Sequence, residues 1–246
     1  MRIIVSDTYE EMSKKAATIV AAQVNLKPNS ILGLATGGTP VGMYKELVKM
    51  YNDDEVDFED VKSFNLDEYY PIDKTNNQSY YYYMNDNLFK HINMKEDNIN
   101  IPNGHAEDIE KECYEYDKNI YNSGGIDLQV LGIGTNGHIG FNEPDLTFES
   151  GTHKVKLDDE TIKANSRFFD SIEEVPKEAI SMGMKTIMQS RKILLLANGE
   201  AKAKIIEKML FGEISPNVPA SILQLHPHVI VILDKEAAKY IEDKVN

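Results

Sequence analysis

A histidine and a glutamate stand five positions apart in a glycine-rich segment of the chain, residues 132–144. His138 paired with Glu143 could move protons near neutral pH, because a histidine with a carboxylate partner titrates in that range. The four glycines of this segment would let a substrate lie against the backbone. Metal binding is the weaker alternative, because no clear third ligand is nearby. A dinucleotide site is rejected, because Gly140 and Pro144 oppose the helix that its glycine fingerprint must open.

A second glycine-rich segment, LATGGTP, could bind an anion, because Gly37 and Gly38 allow a tight turn with close approach of the backbone. Thr39 is a natural N-cap and Pro40 a natural first helical residue, so the helix end would present free N–H groups and a hydroxyl to a phosphate. Met43 stands where a P-loop needs its lysine, which favours a small phosphate ester over a nucleoside triphosphate. A plain strand-to-helix turn is the alternative.

Charged residues in three further segments are weaker candidates when each is taken alone. Asp67, beside Glu68 after a strand-like run, could act as a general base, although adjacent acids are also common in solvated loops. Lys202 lies in the first turn of a predicted helix, where a cation opposes the helix dipole unless it meets a bound anion; an exposed lysine is the plainer alternative. Arg167 could make bidentate phosphate contacts or a packing salt bridge.

The hydrophobic pattern predicts the elements that would position these residues. The strand-like aliphatic runs are residues 2–5, 31–34, 61–65, 126–133, 192–197 and 229–233. Amphipathic segments separate them, so we predict an α/β fold with a mostly parallel sheet covered on both faces. The candidate residues follow four of these runs, and ligands of such sheets bind at the carboxyl ends of the strands.

Residues 142–182 have the weakest apolar periodicity, and we expect roughly 144–182 to form a lid within a single domain of residues 1–246. An irregular surface excursion is the alternative. The tyrosine run at 80–83 is interpreted as a helix face that is partly core and partly surface. His226 and His228 are interpreted as structural.

The composition excludes several classes of protein. The chain has 246 residues, 41% of them hydrophobic, and a formal charge of −14, which disfavours nucleic acid and anionic membranes as partners but permits a small anion. No apolar run approaches the roughly 20 residues of a membrane span, and the first residues turn polar too early for a signal peptide. Because Cys113 is the only cysteine, an intrachain disulfide and a cysteine zinc site are excluded. These features predict a soluble cytoplasmic protein.

Taken together, five motifs resemble the glucosamine-6-phosphate deaminase family, the glucosamine/galactosamine-6-phosphate isomerases. They are LGLATGGTP (32–40), NLDEY (65–69), GHIGFNEP (137–144), ANSRFF (164–169) and LQLH (223–226). They occur in the family's order and extend over essentially the whole chain. The resemblance implies a Rossmann-like, three-layer α/β sandwich. It also implies that D-glucosamine 6-phosphate and water give D-fructose 6-phosphate and ammonia, with no metal and no organic cofactor.

The resemblance also implies roles for individual residues. The residue that matches Asp67 is the base that removes the C2 proton in enolisation. The residue that matches His138 drives ring opening, assisted by the one that matches Glu143. We expect the phosphate contacts from Gly37, Gly38, Thr39, Arg167 and Lys202.

Two departures from the family's pattern matter. Some members carry an aspartate, hydrogen-bonded to the ring-opening histidine, where this chain has Asn136. An amide can orient His138 but cannot stabilise imidazolium as a carboxylate does, so ring opening would rely more on Glu143. Members activated by N-acetylglucosamine 6-phosphate have a longer C-terminus and a basic cluster that corresponds to residues 151–156 here. We therefore expect no allosteric activation and a monomer or small homo-oligomer.

Three alternative functions are weighed against this one. 6-Phosphogluconolactonases look like relatives with a similar phosphate loop, but lactone hydrolysis needs no enolising base such as Asp67. Galactosamine-6-phosphate deaminase differs in the configuration at C4 of the sugar, which the sequence does not resolve. A sugar-phosphate sensor would normally carry a DNA-binding domain, and we expect no segment to be left over for one.

Overall fold

Strands and helices alternate along most of the chain in the computed structural model, which describes residues 1–157, 162, 171 and 175–244. The strands are β1 (Arg2–Ser6), β2 (Ile31–Leu34), β3 (Lys62–Asn65), β4 (Asp67–Tyr70), β5 (Ile99–Asn100), β6 (Leu128–Leu131), β7 (His153–Lys156), β8 (Glu178–Ser181), β9 (Ile193–Ala197) and β10 (Val229–Asp234). The α-helices are α1 (Tyr9–Leu26), α2 (Val41–Asn52), α3 (Tyr80–Asn87), α4 (Ile109–Asn122), α5 (Met184–Met188), α6 (Ala203–Phe211) and α7 (Lys235–Ala238). None of the helices in these ranges is long and apolar enough to cross a membrane.

Seven of the described strands form one parallel sheet in the order β1-β10-β9-β6-β2-β3-β5. Every neighbouring pair in it is parallel. The chain leaves β2 for its neighbour β3 on one side and leaves β6 for its neighbour β9 on the other. The strand order therefore reverses between β2 and β6, and loops that leave this point diverge to form a crevice. This architecture confirms the predicted α/β fold with a mostly parallel central sheet.

Both faces of the sheet are covered by helices. Along β9, Leu194 and Leu196 pack on the face that carries α1, α2 and α3. Ile193 and Leu195 of the same strand pack on the opposite face, which carries α4, α5 and α6. Because both faces are buried, the strand is apolar at every position, which is why the aliphatic runs marked the strands so clearly.

A second, antiparallel sheet is formed by β4, β8 and β7. Only Leu66 separates β3 from β4, so the chain passes directly from one sheet into the other. The N–H of Leu66 donates to the carbonyl of Leu34 at 3.0 Å, and its carbonyl accepts the N–H of Met182 at 2.7 Å. The aliphatic pattern did not predict this sheet, because β4 is polar and β7 alternates between half-buried and exposed side chains. The predicted lid segment therefore supplies two strands, while Arg167 lies outside the described residues.

Asp127 ties together the amino ends of two central strands. It immediately precedes β6, and its buried carboxylate accepts the N–H of Ile31, the first residue of β2, at 2.8 Å. Lys27 and Arg191 donate to the same carboxylate at 2.7 Å and 3.0 Å. These contacts lie at the edge of the sheet opposite the carboxyl ends of the strands.

Replacing Asp127 with alanine should therefore reduce stability without reducing turnover. The buried N–H of Ile31 would lose its acceptor, which costs about 1–3 kcal/mol and lowers Tm by roughly 2–10 °C. Thermal and urea unfolding would measure the loss, and Asp97→Ala, at an exposed position, is the matched control. Equal stability of the two variants would contradict a structural role for Asp127.

Candidate active site

A cavity of about 740 Å³ lies at the carboxyl ends of the strands on either side of the point where the strand order reverses. The loops after β2, β3, β6 and β9 line it. They bring together seven of the predicted site residues, which are Gly37, Gly38, Thr39, Asp67, Asn136, His138 and Lys202. Glu143 lies behind His138, and the position of Arg167 is not described. The convergence follows from the sheet order, because β9, β6, β2 and β3 are consecutive neighbours.

The loop after β2 presents free backbone donors to this cavity. Gly37 adopts φ +94°, a left-handed conformation that favours glycine, and a Cβ there or at Gly38 would face open space. Within the described part of the chain, the N–H groups of Gly37, Gly38 and Thr39 donate to no protein acceptor. Successive free N–H groups in a turn form a concave site for an anion.

Thr39 does not cap α2 as predicted. The N-cap position is occupied by Pro40, and the Thr39 hydroxyl donates instead to the side-chain oxygen of Asn198 at 2.7 Å. This bond joins the loop after β2 to the loop after β9, which also carries Lys202. The prediction failed because the hydrogen bond from the Thr39 hydroxyl to Asn198 is a tertiary contact. The local sequence around Thr39 carries no information about it.

Lys202 supplies a cation to the same side of the cavity. Burial lowers the pKa of its ammonium group, and no carboxylate of the described residues offsets that effect. A partly buried cation without a counter-charge favours the binding of an anion, which would restore its electrostatic stabilisation. Lys202 and the free N–H groups of residues 37–39 together define the anion-binding wall.

Asp67 is the acid of the cavity. It is the first residue of β4 and is only 6% exposed. Burial, with a smaller contribution from neighbouring Glu68, raises the pKa of Asp67 to about 8. The rings of Tyr80 and Phe141 line the cavity with it and stack with centroids 6.1 Å apart. A carboxylate that is this deeply buried is a stronger base than an exposed one.

Glu68 serves a different purpose, because successive side chains of a strand point to opposite sides. Its carboxylate accepts the N–H groups of Tyr69 at 2.9 Å, Tyr80 at 2.8 Å and Tyr81 at 2.9 Å. Burial raises the pKa of Glu68 to about 7, and these three donors act in the opposite direction. Glu68 therefore fixes the N-terminus of α3 and, through it, the position of Tyr80. The interpretation of the tyrosine run as core and surface missed that Tyr80 also lines the cavity.

His138 and Glu143 form the predicted pair. Nδ1 of His138 lies 3.0 Å from a carboxylate oxygen of Glu143, which sets the tautomer with Nδ1 as donor and Nε2 as the free base. The side-chain amide of Asn136 donates to the same carboxylate oxygen at 2.6 Å, and its oxygen accepts the backbone N–H of His138 at 3.1 Å. Asn136 thus orients His138 through Glu143 and the backbone rather than through a bond to the imidazole.

Glycines make room for the imidazole of His138. The ring packs directly over Gly134, where any Cβ would overlap it. The N–H of Gly134 donates to the carbonyl of His138 at 2.9 Å, which closes the turn. Gly137 and Gly140 have positive φ values of 97° and 58°. These three glycines explain why a glycine-rich segment that is not a dinucleotide loop is needed here.

No group of three or more His, Cys, Asp or Glu side chains in the described ranges is arranged to hold a metal ion. Tyr9, Tyr80, Phe141 and Asn198 also line the cavity and were not among the sequence candidates. Phe141 lies inside the glycine-rich segment 132–144, and Asn198 directly follows the strand-like run 192–197, so proximity to the candidates was a usable signal. Tyr9 is the first residue of α1, outside the segments that carry the candidates, and no sequence motif around it indicated a place in the site.

A family model matches most of the chain that folds into this site. The model, described as glucosamine-6-phosphate isomerases/6-phosphogluconolactonase, covers residues 5–231. The chain belongs to this family, as its motifs predicted.

Three individual proteins are similar to this chain in sequence or in structure. A glucosamine-6-phosphate deaminase of Clostridium botulinum (strain Langeland, type F) is 62% identical over 244 residues, which make up 99% of this chain and 100% of the relative. A solved structure of a monomeric glucosamine-6-phosphate deaminase has a TM-score of 0.95 at 47% identity and covers 97% of this chain and 99% of that one. A 6-phosphogluconolactonase from Thermotoga maritima has a TM-score of 0.76 at 18% identity, with 95% and 99% coverage, which shows a shared fold alone.

Substitution of Gly134 by alanine should disable His138 while sparing the anion-binding wall. The added methyl group would displace the imidazole, and a shift of about 1 Å can cost roughly a hundredfold in turnover. Calorimetry with inorganic phosphate should give an unchanged Kd, because Lys202 lies on another loop. Full turnover in Gly134→Ala would show that the observed position of the imidazole is not required.

The pH dependence of stability should report the buried state of Asp67. The native protein holds this proton up to about pH 8, whereas the unfolded chain releases it near pH 4. Stability of the wild type should therefore fall, relative to Asp67→Asn, as pH rises from about 4 to 8. Thermal unfolding of both proteins at pH 5 and pH 8 measures the difference, which should favour the asparagine variant by several degrees more at pH 8. A difference that is the same at both pH values would contradict a raised pKa.

Proposed function

We propose that this chain converts D-glucosamine 6-phosphate and water into D-fructose 6-phosphate and ammonia. The observation that carries the proposal is the buried carboxyl of Asp67 in one cavity with the His138–Glu143 pair and a free anion-binding wall. Identity of 62% to a glucosamine-6-phosphate deaminase over nearly the whole chain supports the same reaction. Lactone hydrolysis gives Asp67 no role as a base, so the geometry favours the deaminase over the lactonase.

The phosphate of the substrate binds to the anion-binding wall. Free N–H groups of Gly37, Gly38 and Thr39 donate to its oxygens, and Lys202 supplies the counter-charge. Arg167 remains a further phosphate ligand proposed from sequence. The phosphate takes no part in bond breaking, so its binding energy positions the sugar against Asp67 and His138.

Ring opening is assigned to His138. With Nδ1 directed to Glu143, its Nε2 accepts the proton of the sugar O1 hydroxyl and returns a proton to the ring oxygen O5 as the C1–O5 bond breaks. The carboxylate of Glu143 stabilises the imidazolium formed in between. Asn136 holds that carboxylate by its 2.6 Å hydrogen bond, which keeps it aligned with the ring.

Enolisation and loss of ammonia are assigned to Asp67. Its carboxylate removes the C2 proton from the open-chain aldehyde, the C1 carbonyl oxygen is protonated, and a 2-amino-enol forms. The Asp67 carboxyl then delivers a proton to C1, which moves the double bond to C2=N and gives a ketimine. Water adds to C2 and ammonia leaves, which yields the ketose. A pKa near 8 suits a group that must take and return one proton, and the amino group of the substrate, when protonated, favours the ionised form.

The oligomeric state, the location and the domain division are also proposals. A solved glucosamine-6-phosphate deaminase that is 47% identical is described as monomeric, which supports a monomer or small homo-oligomer here. We infer a cytoplasmic location, because the substrate is a charged phosphate ester that does not cross membranes unaided, and we propose a single domain over residues 1–246.

Ammonia and fructose 6-phosphate, assayed together in EDTA, test the proposal. The wild type should release both in equal amounts, and Asp67→Asn should lower turnover by roughly 10²–10⁴-fold with substrate affinity changed only a few-fold. Asp73→Asn, at an exposed position in the loop after β4, is the matched control and should retain turnover. Galactosamine 6-phosphate, tested in parallel, decides the C4 preference. Binding of either sugar phosphate without any ammonia release would favour a sensor instead.

A further inference from the structure

Two tyrosines from different helices contact the backbone carbonyl groups of the loop after β2. Tyr83 of α3 donates its hydroxyl to the carbonyl of Gly37 at 2.6 Å. The hydroxyl of Tyr9, the first residue of α1, lies 3.2 Å from the carbonyl of Gly38 and 3.0 Å from that of Thr39. Two phenols therefore lie against three consecutive carbonyl groups of the loop, and the single proton of the Tyr9 hydroxyl is shared between the last two.

These contacts determine where the N–H groups of the loop point. The carbonyl and the N–H of a trans peptide point in opposite directions. When Tyr83 holds the carbonyl of Gly37, the N–H of Gly38 in the same peptide points away from Tyr83. Where the Tyr9 hydroxyl donates to the carbonyl of Gly38, at 3.2 Å, the N–H of Thr39 likewise points away from Tyr9. Its contact with the carbonyl of Thr39, at 3.0 Å, restrains the peptide before Pro40, which has no N–H. The N–H groups of Gly38 and Thr39 are thus two of the three backbone donors of the anion-binding wall.

The loop needs such restraints because glycine peptides rotate easily. Neither Gly37 nor Gly38 has a Cβ, so a rotated peptide plane meets little steric resistance. A rotated peptide would direct a carbonyl oxygen, which carries partial negative charge, toward the phosphate. The hydroxyl of Tyr9 also accepts the N–H of Gly42 in the first turn of α2 at 2.8 Å, which fixes the phenol to the helix that the loop enters.

We propose that Tyr9 and Tyr83 are positioning residues for the substrate phosphate, which hold the peptide groups that carry the N–H donors of Gly38 and Thr39. The inference rests on the proposed function, because it takes this loop as the phosphate site. Burial raises the pKa of the Tyr83 phenol well above its ordinary value, so the hydroxyl stays protonated and donates throughout the working pH range.

Phenylalanine at each position removes the hydroxyl and keeps the ring, so Tyr9→Phe, Tyr83→Phe and the double variant are the test. Calorimetry with inorganic phosphate should show Kd raised roughly three- to tenfold in each single variant, the effect of one lost hydrogen bond, and more in the double variant. KM for glucosamine 6-phosphate should rise by a similar factor with kcat within twofold. Tyr82→Phe is the matched control, since this neighbour in α3 is 44% exposed and should leave both constants unchanged.

The phosphate measurement separates the possible outcomes without relying on turnover. If wild-type protein binds phosphate and Lys202→Ala weakens it while the tyrosine variants do not, the inference is overturned and the proposed phosphate site stands. A lower Tm with unchanged phosphate Kd also overturns it, because the hydroxyls would then contribute to folding alone. If inorganic phosphate fails to bind the wild type, the loop is not the anion site. The proposed phosphate site and the positioning role of Tyr9 and Tyr83 are then both overturned.

Discussion

Burial of the Asp67 carboxyl group makes its ionisation unfavourable, and the surrounding residues are arranged around this buried acid. The stacked rings of Tyr80 and Phe141 line the cavity beside it, and the adjacent Glu68 is directed away to three backbone donors. If both acids faced the cavity, their mutual repulsion would favour protonation of one of them. The alternation of a β-strand thus allows two neighbouring acids to serve catalysis and folding separately.

The parallel sheet turns distant segments into neighbours. Residues 37–39, 136–138 and 198–202 come from separate parts of the chain, yet β2, β6 and β9 are adjacent, and their carboxyl ends open on one crevice. In the proposed reaction, the anion binds on the loops after β2 and β9, whereas protons are transferred at Asp67, the first residue of β4, and on the loop after β6. The proposed arrangement keeps the substrate phosphate remote from the reacting carbons, as a positioning group requires.

The aliphatic runs predicted six of the seven strands of the parallel sheet, because strands buried on both faces are apolar along their length. They missed β5 at the edge of the sheet, which has only two residues, both half-buried. The motifs predicted the family, and the structure brings seven of the candidates to one cavity. The small antiparallel sheet escaped prediction because one of its strands is polar and another is half exposed. The hydroxyl of Tyr9 and the contact between Thr39 and Asn198 escaped for a different reason: each depends on a partner far away in sequence, which only the folded chain supplies.

The passage of the chain from β3 through Leu66 into β4 places Asp67 on the antiparallel sheet, whereas His138 and Lys202 are carried by loops of the parallel one. The chain returns from this sheet to the parallel one after β8, and the N–H of Phe141, on the loop after β6, donates to the hydroxyl of Ser181 in β8 at 3.0 Å, so the two sheets are joined at several points. Asp67 therefore takes its position from the antiparallel sheet, whereas the anion-binding wall takes its position from the parallel sheet. The residues to which we assign proton abstraction and phosphate binding thus rest on different sets of strands.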